Sequence, residues 1–151
     1  MRSAQPIQLR RPNLYMLVYP VRAEDQSPKP VICLTDWPEI ATSSATHMEK
    51  ILGSALRSEI RRRFHAGMPV PLPRTKPRKG VNINLSAGES LKVLVHNEMV
   101  RSRITHEALA RSLSIPTPSL KRALDLQQPA DVDLLSSMVA AIGKRLVAYI
   151  S

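Results

Sequence analysis

Two short helical patterns around a tight turn, Thr105–Leu113 and Thr117–Leu124, constrain this chain more than any other feature. In the first, Ala108, Leu109 and Leu113 share one face, and Ala110 sits where two crossing helices need a small side chain. In the second, Leu120, Ala123 and Leu124 form an inner face, while Ser119, Lys121 and Arg122 point outward. Thr117 is the expected N-cap, with Pro118 at N1, where a missing N–H removes no helix bond. The turn carries Ser114 where a positive φ favours glycine, a mismatch that costs about 1 kcal/mol. This is the layout of a helix-turn-helix, whose second helix enters the major groove of DNA. Thr117, Ser119, Lys121 and Arg122 are the expected groove-facing residues, Arg122 being suited to a bidentate guanine contact. Thr105 and Arg111 are expected to position phosphates. The competing reading is an ordinary αα-hairpin whose cations are solvated.

Charge supports a polyanionic partner but lies elsewhere. The 151 residues carry a net charge of +10, which points most simply to nucleic acid. Residues 1–79 hold 14 Lys/Arg against 6 Asp/Glu, whereas residues 80–151 hold 8 against 6. The densest run is Arg57, Arg61, Arg62, Arg63, Arg74, Lys76, Arg78 and Lys79, opposed only by Glu59. Of these, Arg74, Lys76, Arg78 and Lys79 are candidates for DNA-backbone contacts that add no base specificity. The five aromatic residues, Tyr15, Tyr19, Trp37, Phe64 and Tyr149, are scattered, which argues against a platform for stacking unpaired bases. A single cysteine, Cys33, excludes a disulfide framework and is expected to be a buried thiol. Neither a spanning segment nor the apolar core of a signal peptide is present, so a cytoplasmic protein is expected.

The order of elements points to an α+β chain. Residues 1–13, with Arg2, Arg10 and Arg11, read as a disordered basic arm. Leu14–Arg22 and Pro30–Thr35 read as two strands of a hairpin with a long connection. Asp36-Trp37-Pro38-Glu39 is expected to break the second strand, and Ile40–Ser43 to supply a short third. Thr46 and Glu49 have the spacing of a capping box opening a helix with Met48, Leu52, Leu56, Ile60 and Phe64 at i+4 steps, and with Ile51 and Ala55 alongside. That helix exits at Ala66-Gly67. Pro69, Pro71, Pro73 and Pro77 then impose an extended connector over 67–80. Val81–Leu85 alternates as a strand, and Ser86 with Glu89 forms a second capping box before a helix carrying Leu91, Leu94, Val95 and Met99. After the paired helices, Asp131 caps a last helix ending at Gly143, and Leu146–Ile150 is expected to form a terminal strand. The chain divides on this reading into 14–85 and 86–151.

In that order the motifs resemble HicB antitoxins of bacterial toxin–antitoxin systems. Met16-Leu-Val-Tyr-Pro20 is similar to the opening strand of that family, Asp36-Trp-Pro38 to its Asp-x-Pro after the second strand, and Met68–Pro73 to its proline-rich helix exit. The capped helix from Thr46 and the strand entering Leu85-Ser86 also match, and the C-terminal Ile142-Gly-Lys-Arg-Leu146 resembles the end of many helix-turn-helix antitoxins. The resemblance implies a partial RNase H-like N-terminal domain with one main helix, which neutralises a HicA-type mRNA-cleaving ribonuclease. It further implies an all-α helix-turn-helix domain that dimerises and represses its own operon by binding double-stranded operator DNA. The segment Ala23–Lys29 departs from the family's glycine-rich hairpin connection, and the basic first half departs from the acidic surface expected opposite a basic nuclease. The alternative is a stand-alone HicB-like transcriptional regulator without a toxin partner.

Catalysis is not expected, and neither is a cofactor or metal. Asp36 and Glu39 flank a turn, Glu49 and Glu59 are ten residues apart on a helix, and no strand presents the paired carboxylates of a metal nuclease. His47, His65, His96 and His106 lack ligand spacing. The small C-terminal half is expected to form a homodimer, or a higher oligomer, through Leu134, Leu135, Met138, Val139, Leu146 and Ile150.

Overall fold

Apolar, β-branched runs draw the first half of the chain into an antiparallel sheet. The structure is a computed structural model and describes residues 5–7, 17–25, 30–77 and 79–147. After a short strand β1 (Gln5–Ile7), strands β2 (Val18–Glu24), β3 (Val31–Leu34) and β4 (Trp37–Thr42) form a meander. Strand β5 (Asn82–Asn84) returns to the free side of β2, giving the order β4-β3-β2-β5. Val21 lies opposite Leu34 and Val18 opposite Asn84. The two-residue turn Thr35-Asp36 brings Leu34 opposite Trp37, so the expected break at 36–39 is only a turn and the third strand starts at Trp37. Pro38 is accommodated because β4 is an edge strand, the place in a sheet that tolerates a residue without an N–H. Cys33 is buried, as its apolar run implies.

Helix α1 (Met48–Ala66) covers this sheet with Leu52, Leu56 and Ile60, all fully buried. Its start differs from expectation. His47, not Thr46, is the N-cap residue; it lies at φ 57° and no side chain caps the helix. With the helix beginning at Met48, Thr46 and Glu49 stand one position out of capping-box register. Ile51, expected on the apolar face, is exposed. The exit matches: Gly67 at φ 65° donates back to Arg63 O and Phe64 O, a left-handed close that glycine permits without strain.

The connector that follows is extended but not free. Each of its main-chain polar groups that leaves solvent needs a partner, because prolines keep the segment out of any ladder. His96 Nε2 lies 2.8 Å from Met68 O, Arg63 Nη1 donates to Pro69 O at 2.9 Å, and Tyr19 OH donates to Pro71 O at 2.8 Å. Asn97 holds Val70 through both of its main-chain groups, at 2.8 and 2.9 Å. Asp36 Oδ2 accepts the N–H groups of Arg74 and Thr75, and Oδ1 the Thr75 hydroxyl, all at 2.8 Å. The carboxylate weighed as a metal ligand is thus a clamp on the connector.

Ser86 and Glu89 form the expected capping box of α2 (Ala87–Ser102). Three helices follow: α3 (His106–Ser112), α4 (Thr117–Leu124) and α5 (Val132–Ala141), the last capped by Asp131, whose carboxylate accepts Leu134 N–H at 3.0 Å. The terminal strand β6 lies at Lys144–Leu146, earlier than expected, and pairs in parallel with β1, Gln5 opposite Lys144. Residues 5–7 of the expected disordered arm are therefore a strand, because β6 at the far end of the chain offers main-chain partners that no local periodicity signals. The rest of that arm, Leu14–Met16 and Ile150 lie outside the described residues.

Two apolar cores result. One joins the sheet to α1; the other gathers Leu91, Val95 and Met99 of α2 with α3, α4 and α5. The boundary expected at 85–86 separates elements but not cores, since Val93 and Leu126 belong to the sheet-side core. The architecture is α+β, as expected.

Between the cores, His96 is 4% exposed and stacks on Phe64 at 4.3 Å between ring centroids. Burial pushes its pKa below the ordinary imidazole value of 6.5, against the opposing pull of Met68 O. The unfolded chain then binds a proton at higher pH than the folded one, so stability is complete above pH 6.5 and falls as pH drops below it. His106 is shifted the same way, whereas carboxylates enter only at lower pH. Urea unfolding should show a lower midpoint at about pH 5.5 than at about pH 7.5, with the difference reduced in His96→Gln. An unchanged difference would show that His96 is not its source.

Candidate nucleic-acid interface

The paired helices are built by local chemistry at each junction. Helix α2 closes with Arg103 in the left-handed region at φ 55°, donating to Met99 O and Val100 O, which turns the chain sharply into Thr105. The Thr105 hydroxyl accepts Ala108 N–H at 3.1 Å and caps α3. Ser114 takes φ 54°, the strained value its place in the turn required, and Ile115 N–H closes on Ala110 O at 3.0 Å. Thr117 is not the N-cap of α4. Pro116 occupies that place at ψ 142° without a side-chain bond, and Thr117 and Pro118 are the first helical residues. Proline favours the extended geometry an N-cap needs, which moves the helix start one residue earlier than the threonine suggested.

Within the pair, Leu109 and Ala110 of α3 meet Leu120 and Leu124 of α4, each at most 4% exposed. Ala110 is the small residue at the crossing, as expected. Ala108, assigned to the same face, is exposed instead. Ser119, Lys121 and Arg122 project from α4, and Thr117 is half-buried beside them. Thr105 and Arg111 are also exposed. Lys121, Arg122 and Arg111 form no ion pair among the described residues, so their charge is available to a partner. Lys121 lies near enough to His106 to help hold the imidazole pKa below its ordinary value, after burial, the larger cause. Beside α4 an open depression of about 560 Å³ is lined by Pro118, Ser119, Arg122, Ala123, Gln128, Pro129, Asp131 and Leu134.

The connector cations Arg74, Lys76 and Lys79 are in the described part of the chain, Lys76 and Lys79 exposed and Arg74 with its main chain clamped by Asp36; Arg78 lies outside the described residues. Much of the remaining charge of the 57–79 run is already engaged. Arg57 meets Glu89 at 2.7 Å, Arg62 and Arg63 share Glu59, and Arg63 also lies over the Trp37 ring at 4.9 Å.

The expected dimer residues fare differently. Leu135, Met138 and Val139 are fully buried in the second core and have no surface to offer. Leu134 and Leu146 are half-buried, while Val132, next to the cap of α5, is 56% exposed. A one-sided reading of α5 missed this because a ten-residue helix packed on α2 and α3 turns its best apolar face inward. Sequence reasoning also missed Lys92, which is 1% exposed. The signal was there: Leu91, Val93, Leu94 and Val95 leave α2 apolar on more than one side, so a lysine between them has little route to solvent.

No family model matches the chain. Antitoxin HicB 2 of Photorhabdus laumondii subsp. laumondii is 28% identical over 130 residues, covering 85% of this chain and 92% of that protein. Antitoxin HicB 1 of the same organism is 27% identical over 79% of this chain and 77% of its own length. Antitoxin HicB of Escherichia coli strain K12 is 27% identical over 77% of this chain and 86% of its own. The resemblance to HicB antitoxins read from the ordered motifs is borne out along most of the chain.

Ala110, at the α3–α4 crossing, is 1% exposed and lies within the second core. Ala110→Leu should destabilise the protein by about 1–3 kcal/mol through overpacking, measured as a lower urea midpoint. An unchanged midpoint would mean that the crossing is looser than described.

Proposed function

We propose that this chain is a HicB-type antitoxin, which neutralises a HicA-type mRNA-cleaving toxin through its sheet domain and represses its own operon by binding operator DNA through α3 and α4. The antitoxin reading rests on similarity to HicB antitoxins over most of the chain. The DNA reading rests on one observation: α4, a helix with no carboxylate of its own, projects Ser119, Lys121 and Arg122 from a buried base of Leu120 and Leu124. On this reading the sheet and α1 form the partial RNase H-like unit and α3–α4 the helix-turn-helix. α4 lies in the major groove, with Thr117, Ser119, Lys121 and Arg122 toward base edges and Thr105 and Arg111 toward phosphates. Arg74, Lys76, Arg78 and Lys79 reach flanking phosphates, from a connector whose backbone Asp36 holds in place. The protein works in the cytoplasm as a two-fold dimer. Its contact uses Val132, Leu134 and Leu146, apolar groups of this region that the cores leave at least partly exposed; Val132→Asp should lower the sedimentation coefficient.

DNA binding is tested with a duplex from immediately upstream of the coding sequence against random duplex of equal length. Arg122→Ala should weaken binding to the upstream duplex by about 1–3 kcal/mol and to the random duplex far less. Equal losses would mean that Arg122 reads no base. In the same titrations, replacing Arg74, Lys76, Arg78 and Lys79 by Ser should lower the salt slope by roughly 0.9 for each phosphate that is no longer neutralised. A slope equal to the parent's would remove the connector from the DNA interface.

A stand-alone regulator is the second reading, and the basic first half favours it, because Arg74, Lys76 and Lys79 would repel a cationic nuclease. Co-expression with the small protein encoded next to this chain separates the two. Relief of that protein's growth arrest, and co-purification with it, are expected of the antitoxin. Failure of both would leave the regulator.

A further inference from the structure

The turn that follows α4, Asp125–Gln128, belongs to both halves of the molecule. Leu126, 8% exposed, enters the sheet-side core alongside Val93 of α2. Two residues earlier, Leu124 is buried in the other core. The carbonyls of Asp125 and Gln128 both accept Lys92 Nζ, each at 2.6 Å. Asp125 N–H donates to Arg122 O at 3.1 Å, so the clamped turn is continuous with the last turn of α4. Just beyond, a Cβ on Gly88 would stand 2.5 Å from the Ala130 side chain, a distance that real Cβ atoms do not adopt, so α2 meets this segment at a position only glycine can fill. On the sheet side, the buried Ser90 hydroxyl accepts Leu17 N–H at 2.8 Å. Gly88, Ser90, Lys92 and Val93, all within two turns of one helix, thus fasten the sheet domain and the exit of α4 to the same support.

We infer that Lys92 and Leu126 are positioning residues for DNA binding: they lock the C-terminal end of α4 onto the sheet domain, so the angle at which α4 is presented is set by the N-terminal half of the chain. A lysine is suited to the task. Its ammonium supplies several donors on a long stem and satisfies carbonyls that would otherwise be buried at a helix end, where a positive charge also meets the negative end of the helix. Burial lowers its pKa from the ordinary 10.5, with Asp125 and Glu89 opposing the shift. Among the described residues its ammonium forms no ion pair with a carboxylate, and its hydrogen-bond partners are the two carbonyls of the turn.

The inference rests on the DNA-binding reading, and two measurements on the full chain keep the two apart. In Lys92→Met, the ratio of upstream-duplex to random-duplex affinity should fall on the order of tenfold with an unchanged salt slope, since no phosphate contact is removed. Loss of folded protein would instead lower both affinities in proportion, and that result, or an unchanged ratio, would overturn the positioning role. The second measurement uses no DNA. In Leu126→Ala, amides of Lys121–Leu124 should exchange with solvent about tenfold faster while those of Leu135–Val139 keep their rates. Equal acceleration in both helices, or none in α4, would overturn the coupling. If the unaltered protein does not distinguish the two duplexes, the DNA-binding reading fails, and the exchange result still decides whether the lock exists.

Discussion

Helix α2 leaves little of its surface to water, and the rest of the molecule is arranged around that constraint. Residues Ser90, Leu91, Lys92, Val93, Val95, His96 and Met99 are all buried. A helix buried on several sides has to be covered on several sides. The sheet and α1 take Val93, the three short helices take Leu91, Val95 and Met99, and the connector runs across His96 and Asn97. The polar residues among these apolar ones have to be satisfied individually. Ser90, Lys92 and His96 each find a main-chain partner in a different segment. Their bonds contribute little net stability but would be costly to leave unmade, so they fix which segments lie against α2.

The proline-rich connector illustrates the same logic. A segment that pairs with no strand is ordinarily a loop on the surface. Here the side chains of Tyr19, Asp36, Arg63, His96 and Asn97 bind its main chain between Met68 and Thr75. They come from the sheet and its turn, from α1 and from α2, so the connector records the relative placement of all three. Arg74 is therefore presented from a fixed course, and not from a flexible tether.

Charge follows a related pattern. Glu59 and Glu89 engage Arg57, Arg62 and Arg63 along α1 and at the start of α2. Surface pairs of this kind add little stability. Among the described residues, the cations left without an acidic partner include Lys76 and Lys79 of the connector, Arg111 of α3, and Lys121 and Arg122 of α4, the elements proposed to meet DNA. Glu89 does two things at once: it closes the capping box on Ser86 and receives Arg57 from α1. Burial is the largest single influence on its pKa and raises it, but Arg57 and Ser86 together outweigh burial and hold the carboxyl below its usual value.

Local chemistry was legible in the sequence wherever one residue type has one use. Gly67 closing α1, Ser86 with Glu89 opening α2, Asp131 capping α5, Ala110 at the helix crossing and the strained Ser114 were all readable, because each depends on neighbours close in the chain. The order of strands and helices from β2 onward was readable too, since apolar periodicity is itself a local quantity. What the tertiary structure decided was every matter of distant partners. The pairing of β1 with β6, the clamp of Asp36 on Arg74 and Thr75, the burial of Lys92, and the commitment of Leu135, Met138 and Val139 to the core instead of a dimer surface all depend on residues far apart in the chain. Helix starts at Met48 and Thr117 shifted by one residue because His47 and Pro116 took backbone conformations that outweighed the nearby capping side chains. Periodicity tells which residues seek to be buried; only the packed chain determines against what.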